Sequence, residues 1–263
     1  MLGKIIKYEF KATSKNYLIS FLAVIALSAL SGLIQYLPED VAIFALIKGA
    51  VYFVYFALVV MMPTAVMIAL GVRFFKSMLS DTAYFTHTIP VGKKTLINGK
   101  IVSGVIWMVL SIVVVIVSVA VMVMFASYSS EMAKHLREII DAIRDIRIPS
   151  EYISTVFIVV ILSIVAVFVT VLHIYASVAM GQILTSHKKI GAVVFYVILR
   201  YVASVIMTAG MFVILNAMDM LESNFDNASD LNILLLLIML FMVIFGVICY
   251  VITYEKFNKF DLD

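Results

Sequence analysis

Six apolar runs, each longer than about 20 residues, divide this chain: Tyr17–Leu37, Val41–Val72, Ile101–Tyr128, Ile153–Leu184, Gly191–Met218 and Leu231–Tyr254. About 20 residues is what a helix rising 1.5 Å per residue needs to cross the ~30 Å hydrocarbon of a bilayer. Backbone amides in hydrocarbon find no water, so each run must satisfy its hydrogen bonds within itself, as an α-helix does. The expected fold is all-α: one polytopic transmembrane domain over residues 1–263, with six transmembrane helices. Composition agrees, with 64% of the 263 residues hydrophobic and 13% charged, against about 45–50% and 25% in soluble domains. No water-soluble core absorbs that much apolar surface.

Two runs, 41–72 and 153–184, exceed what a perpendicular crossing needs. They must tilt, kink, or continue as helix beyond the lipid, and Pro63 supplies a kink site in the first of them. Met1–Lys15 carries four lysines ahead of the first run, as a signal peptide would. The run that follows is long enough to span and shows no small-residue cleavage site, so it is expected to be retained as the first helix.

Counting Lys and Arg in alternate connections orients the bundle. The N-terminus carries four, residues 73–100 five, 185–190 two and 255–263 two, while the opposite side has four, all within 129–152. Eleven of the 16 acidic residues also lie on that opposite side. The positive-inside rule then makes both termini cytoplasmic. The formal net charge of +3 is accounted for by this arrangement, and nucleic acid is not an expected partner. The single cysteine, Cys249, excludes an intramolecular disulfide and a cysteine metal cluster.

On the outer side, 131–148 places Met132, Leu136, Ile139, Ile140, Ile143 and Ile146 three and four residues apart, with Lys134, Arg137, Asp141, Arg144 and Asp145 between them. That pattern predicts an amphipathic helix lying on the outer membrane surface or capping the spans. No connection is long enough for a soluble domain, so function is expected from the spans and their cytoplasmic connections.

Catalytic chemistry is hard to place. Val91-Gly92-Lys93-Lys94-Thr95 is the nearest approach to a phosphate loop, but Lys94 replaces the Ser or Thr that follows the lysine and His87 stands at the first glycine position. His87, His135, His173 and His187 are dispersed, with no HExxH pair, so no metal site and no catalytic residue are expected. The apolar interiors contain no Asp or Glu, which removes membrane aspartyl proteases and most carboxylate-dependent proton-coupled carriers.

Three ionisable residues do lie within spans: Lys48, His173 and Arg200. On insertion scales a Lys or Arg at mid-depth costs about 2.5–3.5 kcal/mol. Lys48 is about seven residues from the outer end of its run and can snorkel. Arg200 is about nine residues, roughly 14 Å, from the inner end of its run and is expected to face the protein interior or a polar cavity. His173 suits an interhelical hydrogen bond better than proton handling.

The cytoplasmic connection 73–100 is the most informative segment. It reads Arg73-Phe74-Phe75-Lys76-Ser77-Met78-Leu79-Ser80-Asp81-Thr82-Ala83-Tyr84-Phe85-Thr86-His87-Thr88-Ile89-Pro90. Ser80 or Asp81 is a suitable N-cap for a short helix stopped near Pro90. Tyr84 and Phe85, flanked by Lys76 and Lys93, make a compact aromatic anchor for a cytoplasmic partner, or else an amphipathic stretch on the inner leaflet.

This segment, together with Lys7-Tyr8-Glu9-Phe10-Lys11, Gly181-Gln182-Ile183-Leu184 and His187-Lys188-Lys189-Ile190-Gly191, resembles permease subunits of type 2 ATP-binding-cassette (ABC) exporters, in particular the bacterial six-span kind whose ATPase is a separate chain. The resemblance covers most of the protein. It implies an N-terminal segment along the inner membrane face and a coupling helix at residues 80–89, with Ser80, Asp81, Tyr84, Phe85, His87 and Pro90 in or beside the docking element. It also implies a cytoplasmic ABC ATPase partner that binds ATP and Mg, a second permease copy or paralogue, and residence in the bacterial cytoplasmic membrane among its lipids. No cofactor is then expected in this chain. The re-entrant outer helices of the polysaccharide and sterol exporters are not evident, so the resemblance does not extend to their substrates. Two other readings remain open from the residues: a membrane scaffold that recruits a partner without moving solute, and an ion-coupled secondary carrier.

Overall fold

A computed structural model describes residues 2–38, 41–79, 91–126, 134, 138, 141, 149–184, 187–217 and 228–258. Six long helices carry them: α1 (Leu2–Leu33), α2 (Ala42–Met78), α3 (Lys93–Ala126), α4 (Ile153–Met180), α5 (Lys188–Ala217) and α6 (Ala228–Asn258). Short 3₁₀ turns at Ile34–Tyr36, Ser150–Tyr152 and Gly181–Ile183 border α1 and α4, and no strand occurs among the described residues. All six helices are long and apolar enough to cross a membrane, and the chain is a multi-pass membrane protein.

The helices overrun the apolar runs that predict them. α1 begins at Leu2 where the run begins at Tyr17, α2 continues past Val72 to Met78, and α3 begins at Lys93 ahead of Ile101. An apolar run marks the stretch that sits in hydrocarbon; Lys, Glu, Phe and Tyr beyond it are acceptable helix formers, and an existing helix propagates at little cost. Leu2–Lys15 accordingly prolongs span one as unbroken helix. α2 also runs through Pro63 without ending. Of the outer segment 131–148, the structure describes only Lys134, Glu138 and Asp141, which are helical and exposed at the spacing of one polar face.

The chain divides into two compact units. One comprises residues 7–68 and 106–147. In it, α1 buries Tyr17, Phe21, Val24, Ser28 and Ser31, spaced four, three, four and three, the period of a coiled-coil seam. The ring of Trp107 on α3 receives Phe10 stacked at 4.9 Å between centroids, Tyr17 at 4.6 Å and Phe21 at 6.1 Å. Further along, a Cβ at Gly32 would fall 2.6 Å from the Met122 carbonyl oxygen, and the Tyr36 hydroxyl donates to the Phe125 carbonyl at 3.0 Å. These contacts advance together along both helices, so α1 and α3 run parallel. Buried hydroxyls along the seam return their protons to their own helix, Ser28 to the Ile25 carbonyl and Ser111 to that of Met108, both at 2.7 Å. Small, internally satisfied residues let two membrane helices approach closely. Ser118 likewise donates to the Val115 carbonyl, which leaves its oxygen to accept from the Tyr55 hydroxyl of α2 at 3.2 Å.

The other unit comprises residues 1–6, 69–105 and 148–263. α4 and α6 lie side by side and parallel. Near their beginnings the Thr155 hydroxyl donates to Asn232 Oδ1 at 2.7 Å, and Asn232 Nδ2 donates to Ser154 Oγ at 2.9 Å. Further along, Gly246 abuts Val169. α5 returns antiparallel to α4 after a connection in which Gly181 and Gly191 meet backbone to backbone: a Cβ at Gly181 would lie 2.5 Å from the Ala192 nitrogen, and one at Gly191 would lie 2.7 Å from the Gly181 carbonyl oxygen.

Candidate functional site

Two places in the second unit concentrate the chemistry the sequence singles out. The first is where α2 ends and α3 begins, on either side of the connection that carries the expected docking residues. Ser80, Asp81, Tyr84, Phe85, His87 and Pro90 themselves lie outside the described residues. Their attachment points do not. Met78 and Leu79 at the end of α2 are buried, as are Leu96, Ile97 and Lys100 on the first turns of α3.

Lys100 is only 3% exposed. Its ammonium donates to Ser77 Oγ of α2 at 2.8 Å, while the Ser77 hydroxyl donates to the Arg73 carbonyl, also at 2.8 Å. The serine proton is therefore committed to its own helix and its lone pairs face the lysine. The Lys100 carbonyl in turn accepts the Tyr175 hydroxyl of α4 at 3.2 Å, and Gly104 makes room, since a Cβ there would sit 2.9 Å from that hydroxyl oxygen. Tyr175 stacks on Phe74 of α2 at 4.2 Å and 13°. One lysine thus ties the ends of α2 and α3, and through its carbonyl α4, into one hydrogen-bonded foot.

α6 closes the foot from the other side. Lys93 Nζ donates to the Asn258 carbonyl at 3.2 Å and lies over the Phe257 ring, Lys94 lies over Tyr254, and the Tyr250 hydroxyl donates to Asn98 Oδ1 at 3.1 Å. A cation at the carbonyl end of a helix is favoured by the helix dipole, and the aromatic faces add a cation–π term.

In the sequence Lys100 counts only as one of the five Lys and Arg of residues 73–100, and this role is missed. A signal was present: Ile97, Lys100, Gly104, Trp107 and Ser111 follow the same three-and-four spacing, which puts the lysine in phase with the buried face of α3. Ser77→Ala is expected to destabilise the protein by about 1–3 kcal/mol, because a buried ammonium loses an acceptor. Adding Lys100→Met should recover much of that loss, since the charge that needed the acceptor is gone. Thermal unfolding of the three variants in detergent measures the coupling, and strictly additive effects would remove the assigned contact.

The second place is inside the membrane. His173 of α4 is 3% exposed, stacked on Tyr196 of α5 at 4.4 Å and edge-on to Phe245 of α6 at 5.5 Å. Its Nε2 has no hydrogen-bond partner among the described residues. Arg200 lies one helical turn from Tyr196 on α5, and its side chain is exposed on the single chain. The structure thus places His173 against the helix that carries Arg200, at the residue one turn before it. Lys48 belongs to the other unit, where it is 7% exposed.

Among the described residues no group of three His, Cys, Asp or Glu side chains is placed to hold a metal. No protein-family model, curated protein or solved structure matches the chain.

Proposed function

We propose that this chain is the membrane-spanning permease subunit of an ATP-driven exporter of the ABC type, coupled through the 73–100 connection to a separate cytoplasmic ATPase. The observation that carries the reading is the foot. A connection that transmits force must leave and re-enter the membrane domain on a stiff base; here both attachment points are buried and are tied to α4 and α6 by the bonds of Lys100, Tyr175, Lys93 and Tyr250. The aromatic pair Tyr84–Phe85 within that connection fits the groove-docking element that the resemblance assigns there. On this reading, ATP chemistry resides in the partner, and closure of two ATPases displaces the connections and biases the spans between two arrangements. The assembly is a dimer of permeases, of this chain with itself or with a paralogue, in a bacterial cytoplasmic membrane. No membrane-embedded carboxylate is needed, which sets it apart from a proton-coupled carrier.

The test is affinity purification of the tagged full chain from its own cells in mild detergent. Stoichiometric recovery of an ATPase subunit, with ATP hydrolysis in the eluate, is expected. A chain recovered alone and inactive would overturn the proposal.

A further inference from the structure

Arg200 sits twelve residues past Lys188, roughly 18 Å along α5. Its side chain is exposed, and no hydrogen bond or ion pair holds the guanidinium among the described residues. Tyr201 beside it is 68% exposed, again with no partner for its hydroxyl among the described residues. One turn further on, Ser204 is exposed and its hydroxyl proton is already given to the Tyr201 carbonyl at 2.8 Å. What remains on the Arg200 face is a fork of guanidinium donors, with the exposed Val197 and Val193 one and two turns before it.

A guanidinium cannot remain bare at this depth. A second copy of the chain cannot neutralise it, because no Asp or Glu lies between residues 41 and 80, 152 and 218, or 231 and 254, nor between 10 and 38 or 82 and 130, so no span brings a carboxylate to mid-membrane. No copy of this chain then supplies the anion, and the bilayer itself is the nearest source. In a bilayer the abundant mobile anion with the right geometry is a phosphodiester, which accepts two parallel guanidinium hydrogen bonds while its acyl chains lie along the apolar surface of α5. Drawing a headgroup and its water inward also lowers the cost of the buried charge.

We propose that Arg200 forms a binding site on α5 for the headgroup of an anionic phospholipid. The site does not depend on the transport reading: it holds whether or not an ATPase binds the chain.

The experiment is native mass spectrometry of the purified full chain in detergent, titrated with phosphatidylglycerol and, separately, with phosphatidylcholine. The first phosphatidylglycerol should bind about tenfold more tightly than phosphatidylcholine, the scale of a charge-assisted bidentate pair. Arg200→Gln and Arg200→Met should abolish that difference, Arg200→Lys should retain part of it, and Lys188→Gln combined with Lys189→Gln should leave it in place. Either neutral variant tests the site if the other does not fold. Unchanged preference in the neutral variants, loss only in the Lys188/Lys189 pair, or an effect of Arg200→Gln on dimer formation alone would overturn the proposal.

Discussion

Gly181→Ala is expected to lower stability by about 2 kcal/mol, although it adds one methyl group. The new Cβ would lie 2.5 Å from the Ala192 nitrogen, 2.7 Å from its Cα and 3.0 Å from the Gly191 carbonyl carbon. All three are backbone atoms, so no rotamer change relieves the overlap and α5 itself must shift. For a protein of this size the loss corresponds to a fall of about 4–8 °C in the unfolding midpoint. Gly210→Ala is the internal control: nothing lies within 4 Å of its Cβ position, and alanine is the better helix former, so that variant should be neutral or slightly stabilising. Equal midpoints for the two variants would mean that the α4–α5 connection is not packed as described.

The second large effect falls on the 73–100 connection. If the proposed docking holds, Tyr84→Ala combined with Phe85→Ala should reduce recovery of the ATPase with the tagged chain by more than about tenfold, since buried aromatic anchors each contribute 2 kcal/mol or more to an interface. Membrane insertion and the size-exclusion profile of the variant should be unchanged, because Tyr84 and Phe85 lie outside the six apolar runs. Undiminished recovery of the ATPase would remove the docking assignment while leaving the six-span fold untouched. Loss of both insertion and partner would instead assign the pair a role in folding.

Much of the fold was legible because bilayer physics is blunt. Apolar runs of spanning length, such as Ile101–Tyr128 and Ile153–Leu184, have no stable alternative to helix, and each appears as one. Helix ends were not legible, because outside hydrocarbon the hydrophobic signal stops while the helix continues; Leu2–Lys15 and Lys93–Lys100 read as polar flanks and are helical. For the same reason Lys100 looked like a loop cation. Its burial depends on the partners Ser77 and Tyr175, 23 and 75 residues away, which periodicity on one helix does not reveal. Within the membrane, the seam of Tyr17, Phe21, Val24, Ser28 and Ser31 could have been read from its spacing, but its match to Trp107 on α3 could not.

If the proposed docking holds, the overrun of α2 and α3 bears on where the ATPase meets this chain. From Val72, where the apolar run ends, to Leu79 the chain advances seven residues, roughly 10 Å along the α2 axis, and Lys93 precedes Ile101 on α3 by about the same rise. The connection is therefore hung from two rigid posts that project from the hydrocarbon edge by about the depth of a headgroup layer. On the proposed docking, such a stand-off would let the ATPase reach its contact without displacing lipid.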